Sequence, residues 1–318
     1  MQDKKLIQEI IKDIEKSYGQ RTIFTLDQNP VEVEVVSTGC YALNKALGIN
    51  GFPACVIEIY GPAGSSKTTL ALSSAAEVQK LGGRVLFVDA EYALNKNYAM
   101  DLGVKFDDTF HIVQPTYTEQ AIDIIERFLE KEAVDLIILD SLAALSPKAE
   151  IEGEINDSHM GLQARIMSQF FRRSVQSIKN TKLIIINQIR DKMNTFGYGE
   201  TTTTTGGNAL KFYSKIRLDV KRVGHYKVKN EIVGQKVKVK VIKNKYAPPF
   251  QEAEFDLIFG KGIDNEGTII DEAVNKGLIE KGGSWYSYGD KKIGQGKDAV
   301  SIFLKDNPDI YKEIMDKL

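Results

Sequence analysis

Residues Ile57–Thr69 read IEIYGPAGSSKTT, a run whose types and spacing could hold a chain of phosphates. An apolar stretch leads into a glycine-bearing turn, then Lys67, then two hydroxyls, then a helix-forming run to Leu81. Strand, loop and helix N-terminus in that order aim backbone N–H groups and the helix dipole at an anion. Gly61, Pro62, Ala63, Gly64, Ser65, Ser66, Lys67, Thr68 and Thr69 are therefore the candidate phosphate-binding residues. Lys67 would reach the outer phosphates, and Thr68 would offer its hydroxyl to magnesium. The pattern departs at one letter, because Ser66 stands where a glycine is usual before the lysine. At the threshold of a helix, position 66 is expected to have a negative φ and a capping role, which would suit serine. Lys67 is expected to be a surface charge in the nucleotide-free protein.

Three strand ends extend the chemistry. Asp140 closes the run LIILD, where a carboxylate can hold the magnesium shell opposite Thr68. Helix capping is the competing role for such a residue. Glu91, in FVDAE, could polarise the water that attacks a γ-phosphate, or be a surface cap. Gln188, in IINQIR, could sense the γ-phosphate and pass its state to the segment that follows. All three sit at the carboxyl ends of predicted parallel strands, where open α/β sheets bind ligands.

The elements that must position these groups are legible from periodicity. Apolar runs at Val56–Tyr60, Val85–Asp89, Leu136–Asp140 and Leu183–Asn187 alternate with helical stretches near Thr68–Leu81, Thr118–Glu132 and Gly161–Ile178. Strands apolar on both faces and joined by helices predict an α/β fold with a mostly parallel sheet covered on both sides. Lys211–Val220, Lys236–Ile242 and Ala253–Phe259 alternate as antiparallel strands do. Between the two parts lies Asp191–Asn208, rich in glycine and threonine, a loop long enough to be functional. Near the N-terminus, Leu6, Ile7, Ile10, Ile11 and Ile14 share one face of a helix over residues 3–17. Its apolar stripe suits a neighbouring subunit or its own domain equally. From Ile263 a small α+β unit is expected, with a helix at Ile269–Leu278, a hairpin around Tyr288–Lys291, and helices at Ala299–Asp306 and Ile310–Lys317. The expected domains are residues 1–32, 33–262 and 263–318.

Composition excludes several classes. A formal net charge of −1 gives no overall attraction to nucleic acid, so any DNA site must come from local arrangement. No apolar run approaches the roughly 20 residues of a membrane helix. The charged N-terminus MQDKKLIQEI does not read as a signal peptide. Two cysteines, Cys40 and Cys55, suggest no disulfide framework and fit a reducing cytoplasm, with Cys55 a buried small hydrophobe. His111, His159 and His225 lack zinc-ligand spacing.

A longer series of motifs is similar to that of the RecA recombinases. Beside the phosphate loop stand FVDAEYAL (Phe87–Leu94), LIILDSLAALSPKAEIEGEINDSHMGLQAR (Leu136–Arg165), IINQIR (Ile185–Arg190), TTGGNALKFYSKIRLDV (Thr204–Val220), VIKNKYAPPFQEAEFDL (Val241–Leu257) and WYSYGDKKIGQGK (Trp285–Lys297). The resemblance runs from about Leu6 to Lys317. It implies a RecA-like ATPase core and an ATP-dependent strand-exchange protein that forms helical filaments on single-stranded DNA and pairs it with homologous duplex. ATP and Mg2+ are the implied ligands. Glu152–Gly161 and Ile189–Gly207 correspond to the two DNA-binding loops. Met160 and Phe196 could wedge between or stack on bases, and Arg165, Arg172 and Arg190 could neutralise phosphates. Gly206, Gly207 and Asn208 close the second loop. For Arg165 and Arg172, plain helix-surface charge is the competing role. Lys243 and Lys245 match residues that reach the neighbouring subunit's γ-phosphate, Tyr98 and Phe259 match positions flanking adenine, and Phe212 matches an interface aromatic. The N-terminal helix matches a segment that packs on the adjacent subunit.

The chain departs from the family pattern at Ser66, at Asn95 where aspartate is usual, and at Met193, Asn194 and Thr195 in the second loop. It also ends at Leu318 without the acidic tail many relatives carry, which puts tail-mediated restraint of DNA binding in doubt. Phage members vary the phosphate loop, so a phage origin is open, as is partnership with an SOS repressor. Two rival readings fit the same motifs. One is an ATP-binding filament scaffold with little hydrolysis. The other is a related hexameric helicase-type motor.

Overall fold

The computed structural model describes residues 2–19, 22–23, 33–154, 161–191, 202–228 and 230–318. Two compact units result, Met1–Glu34 and Val35–Leu318. The first holds helix α1 (Gln2–Tyr18), whose bounds lie within a residue of the predicted 3–17.

The second unit opens with a two-stranded ribbon of β1 (Val35–Val36) and β2 (Phe52–Pro53), bracketing helix α2 (Tyr41–Leu47). The parallel strands follow: β3 (Val56–Gly61), β4 (Val85–Asp89), β5 (Phe110–Val113), β6 (Leu136–Asp140) and β7 (Lys182–Asp191). Between them run α3 (Lys67–Lys80), α4 (Lys96–Asp101), α5 (Thr118–Glu130), α6 (Lys148–Glu152) and α7 (Leu162–Ser174). Then come β8 (Thr202–Thr204), α8 (Gly207–Tyr213), β9 (Ile216–Val228), β10 (Glu231–Asn244), β11 (Glu252–Ile258) and β12 (Gly262–Ile263). The strands order as β12-β11-β10-β9-β3-β7-β6-β4-β5, with β8 antiparallel to β7. From β9 to β5 every neighbouring pair is parallel, and from β9 to β12 every pair is antiparallel.

Strict alternation explains the layering. Ile57, Ile59, Phe87, Ile138, Ile184 and Ile186 pack on one face with α2, α3 and the inward valines of β10. Val56, Leu86, Val88, Ile137, Leu139, Leu183 and Ile185 pack on the other with α5, α7 and α8. Both faces are therefore apolar, as a helix-covered parallel sheet requires. On the antiparallel wing, Val237, Val239 and Val241 point inward, while Lys236, Lys238 and Lys240 pair with Asp256, Glu254 and Glu252 across the outer face.

Several elements differ from expectation: Phe110–Val113 is a strand that the sequence pattern does not mark, and the helix expected at Ile269–Leu278 runs from Asn265 to Asn275. Lys211–Val220 is not one strand, because residues 211–213 end helix α8 and β9 begins at Ile216. Ser214 closes that helix, its hydroxyl donating to the Leu210 carbonyl at 2.5 Å. Strand β9 also pairs parallel to β3 before it pairs antiparallel to β10, so it is the hinge between the two halves of the sheet.

The C-terminal part has its own apolar cluster, built on Ile270, Ile279, Tyr286, Ile293, Val300, Leu304 and Ile314. It comprises α9 (Asn265–Asn275), the three-stranded sheet of β13 (Glu280–Gly282), β14 (Trp285–Tyr288) and β15 (Lys291–Gln295), then α10 (Lys297–Asp306) and α11 (Pro308–Lys317). Pro308 starts α11 where its missing N–H costs nothing. Both cysteines are buried. Among the described residues no helix is long and apolar enough to cross a membrane.

Candidate active site

The loop Pro62–Ser66 leaves β3 and delivers Lys67 to the first turn of α3. Above it opens a cleft of about 300 Å³, lined by Ala63 through Thr69 together with Glu91, Asp140, Ile186, Gln188 and Gln235. The carboxyl ends of β3, β4, β6 and β7 supply it, which is where an open α/β sheet takes its ligand.

Within the cleft the polar groups are already engaged. Thr68 donates its hydroxyl to an Asp140 carboxylate oxygen at 2.6 Å. Glu91 Oε1 accepts from the Ser141 hydroxyl at 2.6 Å and from the Gln188 amide at 3.2 Å. The peptide N–H groups of Ala90 and Glu91 donate to the Asp140 carbonyl, fixing the turn after β4 against β6. Burial pushes the Asp140 carboxyl up to about 6, helped by Glu91 and Asp89 and opposed by Thr68 and Lys67. The Ser65 hydroxyl is buried and has no protein partner. Thr69 shares a 2.7 Å hydrogen bond with the Tyr98 phenol, and Asn95 caps α4 by accepting from the Tyr98 N–H at 3.0 Å.

Two expectations about the loop fail. Lys67 is not a surface charge: it is 8% exposed and donates to the carbonyls of Gly61 at 3.1 Å and Pro62 at 2.7 Å. Burial lowers its ammonium below the ordinary lysine value, against the pull of Asp140 and Glu91. Ser66 does not have a negative φ; it lies in the left-handed region at φ 73°, ψ 25°, and its side chain makes no cap. The reason is geometric. The chain must turn sharply from the loop into α3, and the left-handed step that a glycine would take is taken here by serine. The Ser66 hydroxyl instead accepts from the Gln235 amide. Neither Gln235 nor Ser141 was singled out from sequence. Ser141 was findable as the residue after Asp140, whereas Gln235 is a polar residue near the start of an alternating strand and carries no local signal.

The remaining candidates lie elsewhere. Phe259 is exposed just past β11 and does not line the cleft. Lys243 is outside it too, its ammonium donating to the carbonyls of Lys211 at 2.8 Å and Phe212 at 3.0 Å, so it caps the C-terminus of α8. Burial lowers its ammonium from the ordinary value, with Lys245, Arg217 and Lys215 adding to the effect. Lys245 is exposed, and Phe212 is 76% exposed. Arg165 and Arg172 are exposed on α7, and Arg172 donates to the Ser168 carbonyl at 3.2 Å. Met160, Phe196, Met193, Asn194 and Thr195 lie outside the described residues, and for Arg190 only the backbone, in β7, is described. Gly206 and Gly207, both with positive φ, lead into α8, and Asn208 is exposed in its first turn. At the base of the second loop, Asn187 donates to the Thr205 carbonyl at 2.9 Å and to Glu58 at 3.2 Å. Glu58 is fully buried and pairs with Arg217 at 2.5 Å.

Comparison with protein families matches nearly the whole chain. The RecA N-terminal domain family model matches residues 5–264, and the RecA C-terminal domain model matches residues 267–318. The chain belongs to the RecA family. Among curated relatives, Protein RecA of Wolinella succinogenes is 51% identical over 99% of this chain and 91% of its own length. Protein RecA of Campylobacter jejuni is 50% identical over 98% of this chain, and that of Caulobacter vibrioides 52% identical over 96%. As a RecA-family member the chain binds ATP and DNA and assembles into filaments.

The donors near the phosphate loop suit magnesium. Thr68 and Asp140 present hard oxygen atoms, and no group of three or more His, Cys, Asp or Glu that could cage a metal exists among the described residues. One hydroxyl and one carboxylate beside a phosphate site are the donor set a Mg2+ ion uses when substrate phosphates complete its shell.

Proposed function

We propose that the cleft over Ala63–Thr69 binds ATP with Mg2+, and that its hydrolysis is governed by single-stranded DNA held in the filament. The chain is a DNA-dependent ATPase of homologous recombination and repair. One observation carries the assignment of residues: Thr68–Asp140 and Ser141–Glu91–Gln188 converge on one side of the phosphate loop. Loop amides and the start of α3 would hold the phosphates. Lys67 would leave the Gly61 and Pro62 carbonyls for the β- and γ-phosphates. Thr68 and Asp140 would hold the Mg2+, which supplies charge neutralisation on the phosphate oxygens. Glu91, steadied by Ser141, would orient and polarise the attacking water. Gln188 would exchange Glu91 for a γ-phosphate oxygen and so report the nucleotide state along β7 to the second loop. Tyr98 is the aromatic best placed to meet adenine, because Thr69 already ties it to the loop.

Across the filament interface, Lys243 and Lys245 would reach the neighbour's γ-phosphate, Phe259 would close on its nucleotide, and Phe212 and α1 would pack on the adjacent subunit. Residues 1–32 would then serve subunit contact, 33–262 form the ATPase core with both DNA loops, and 263–318 form the C-terminal domain. Met160, Phe196, Arg165, Arg172, Arg190, Gly206, Gly207 and Asn208 would line the DNA path. An SOS repressor is a further partner on this reading, and the cytoplasm the compartment. The test is ATP turnover with and without single-stranded DNA, in Mg2+ and after chelation. Strong stimulation by DNA, abolished by chelator, is expected. Turnover that DNA does not stimulate would sink the proposal, and turnover that stays negligible even on DNA would favour the filament scaffold with little hydrolysis.

A further inference from the structure

A serine in the left-handed region at the mouth of a phosphate loop needs an explanation that glycine would not. For a residue with a Cβ this conformation is unfavourable, and it persists where the surroundings over-determine it. Ser66 gains nothing from the usual remedy, since its hydroxyl does not cap α3 even though its carbonyl accepts the first helical bond, from the Leu70 N–H at 3.1 Å. The hydroxyl points away from the helix, to Gln235. That residue sits on β10, opposite His225 of β9 and Leu257 of β11, in the antiparallel wing of the sheet. Its backbone is paired on both edges. At the preceding Gly234, a Cβ would lie 2.2 Å from the Leu257 carbonyl oxygen, so β10 and β11 approach too closely there for any side chain. A half-buried amide on an interior strand thus reaches across to the loop, and both residues line the same cleft.

We infer that Gln235 is a positioning residue for the phosphate loop of this chain: its amide holds Ser66 in the left-handed turn and thereby keeps the Ser66 and Lys67 N–H groups aimed at the phosphates. The inference rests on the cleft being the ATP site. Its consequence is that residues 66 and 235 form a functional pair. With glycine at 66 the turn needs no holding, because glycine adopts this φ without strain. With serine at 66 the Gln235 amide restrains it. With alanine at 66 the strain remains and the restraint is lost.

The experiment is a cycle of variants read by steady-state ATP turnover on single-stranded DNA, with equilibrium binding of a fluorescent ATP analogue. Gln235→Ala in the natural chain should raise KM by about three- to tenfold with kcat changed less than twofold, the size of one lost neutral hydrogen bond. Ser66→Ala should match it, and the double variant should be no worse than either. In a Ser66→Gly background, Gln235→Ala should change KM by less than twofold, since there is no hydroxyl left to hold. Ser66→Gly alone should stay within tenfold of the natural chain in turnover, because relief of strain and loss of the Gln235 bond oppose each other. Thermal unfolding of each variant separates a misfolded loop from a misfolded protein. If Gln235→Ala raises KM equally in both backgrounds, the amide acts on the nucleotide itself and the inference fails. It fails also if KM is unmoved in both. Loss of analogue binding by the unaltered chain is a different failure, because it removes the ATP site and not the pairing.

Discussion

Lys67 shows how a single residue carries two accounts at once. In the nucleotide-free chain its ammonium is buried against the Gly61 and Pro62 carbonyls, and burial lowers its affinity for the proton. Lys67→Ala strands two carbonyls, which destabilises, but it also removes a desolvated cation, which stabilises. These opposing terms predict a change of no more than about 1–2 kcal/mol in urea unfolding. Turnover, by contrast, should fall by at least about 10²-fold, because a preorganised charge on the transferring phosphate is gone. Retained turnover would overturn the assignment, whatever the stability. Neither the burial of Lys67 nor the left-handed Ser66 was legible in the sequence. The loop pattern names the residues, but their exposure depends on how β9, β10 and the strand ends close over them. That Asp140, Glu91 and Gln188 share one cleft is legible in the sequence, because each follows an apolar run and the fold brings strand ends together.

At the scale of elements, strongly periodic segments came through with little change. Val85–Asp89 and Leu136–Asp140 match the structure residue for residue, because they are buried on both faces and bounded by turns. Phe110–Val113 carries no sequence signal: it is an edge strand whose His111 and Ile112 are exposed, so no buried pattern marks it. The sequence reads Lys211–Val220 as one strand because Phe212 falls in phase with the inward Ile216, Leu218 and Val220. Only tertiary packing separates them, since α8 lies against α7. That contact depends on Gly207, at φ 72°, where a Cβ would sit 2.6 Å from the Ala164 Cβ on α7. Gly277 is a fair control, with φ 70° and open space where its Cβ would be. Gly207→Ala should therefore destabilise more than Gly277→Ala, by about 1–3 kcal/mol of overpacking beyond their common backbone strain. It should also weaken single-stranded DNA binding, since α8 anchors the return of the second loop, whereas Gly277→Ala should leave binding unchanged. Equal destabilisation by the two variants in urea unfolding would show that α8 does not need its close seat on α7.

For the whole molecule, near-zero net charge and a neutralised lysine ladder on β10 leave attraction to DNA to local groups and to how subunits align them. A head-to-tail filament aligns them by placing one surface of each subunit against a different surface of the next. Lys243 is the informative group. It now caps the C-terminus of α8, where a cation meets the helix dipole, and it lies outside its own subunit's cleft. To serve a neighbour's phosphate it must release α8, which would link nucleotide at the interface to the helix that closes the second loop. The cross-subunit role makes a prediction that a role within one subunit cannot. Lys67→Ala has a defective phosphate loop but an intact Lys243, and Lys243→Ala has the reverse defect. Each alone should be inactive as a DNA-dependent ATPase. Mixed in equal amounts and assembled at random, about half the interfaces have an intact loop, and about half of those face an intact lysine. Turnover should then rise to about a quarter of that of the unaltered chain on single-stranded DNA, with Lys245→Ala behaving as Lys243→Ala does. A mixture that shows only the sum of the two residual rates would place Lys243 in service of its own subunit, as the cap of α8 and nothing more.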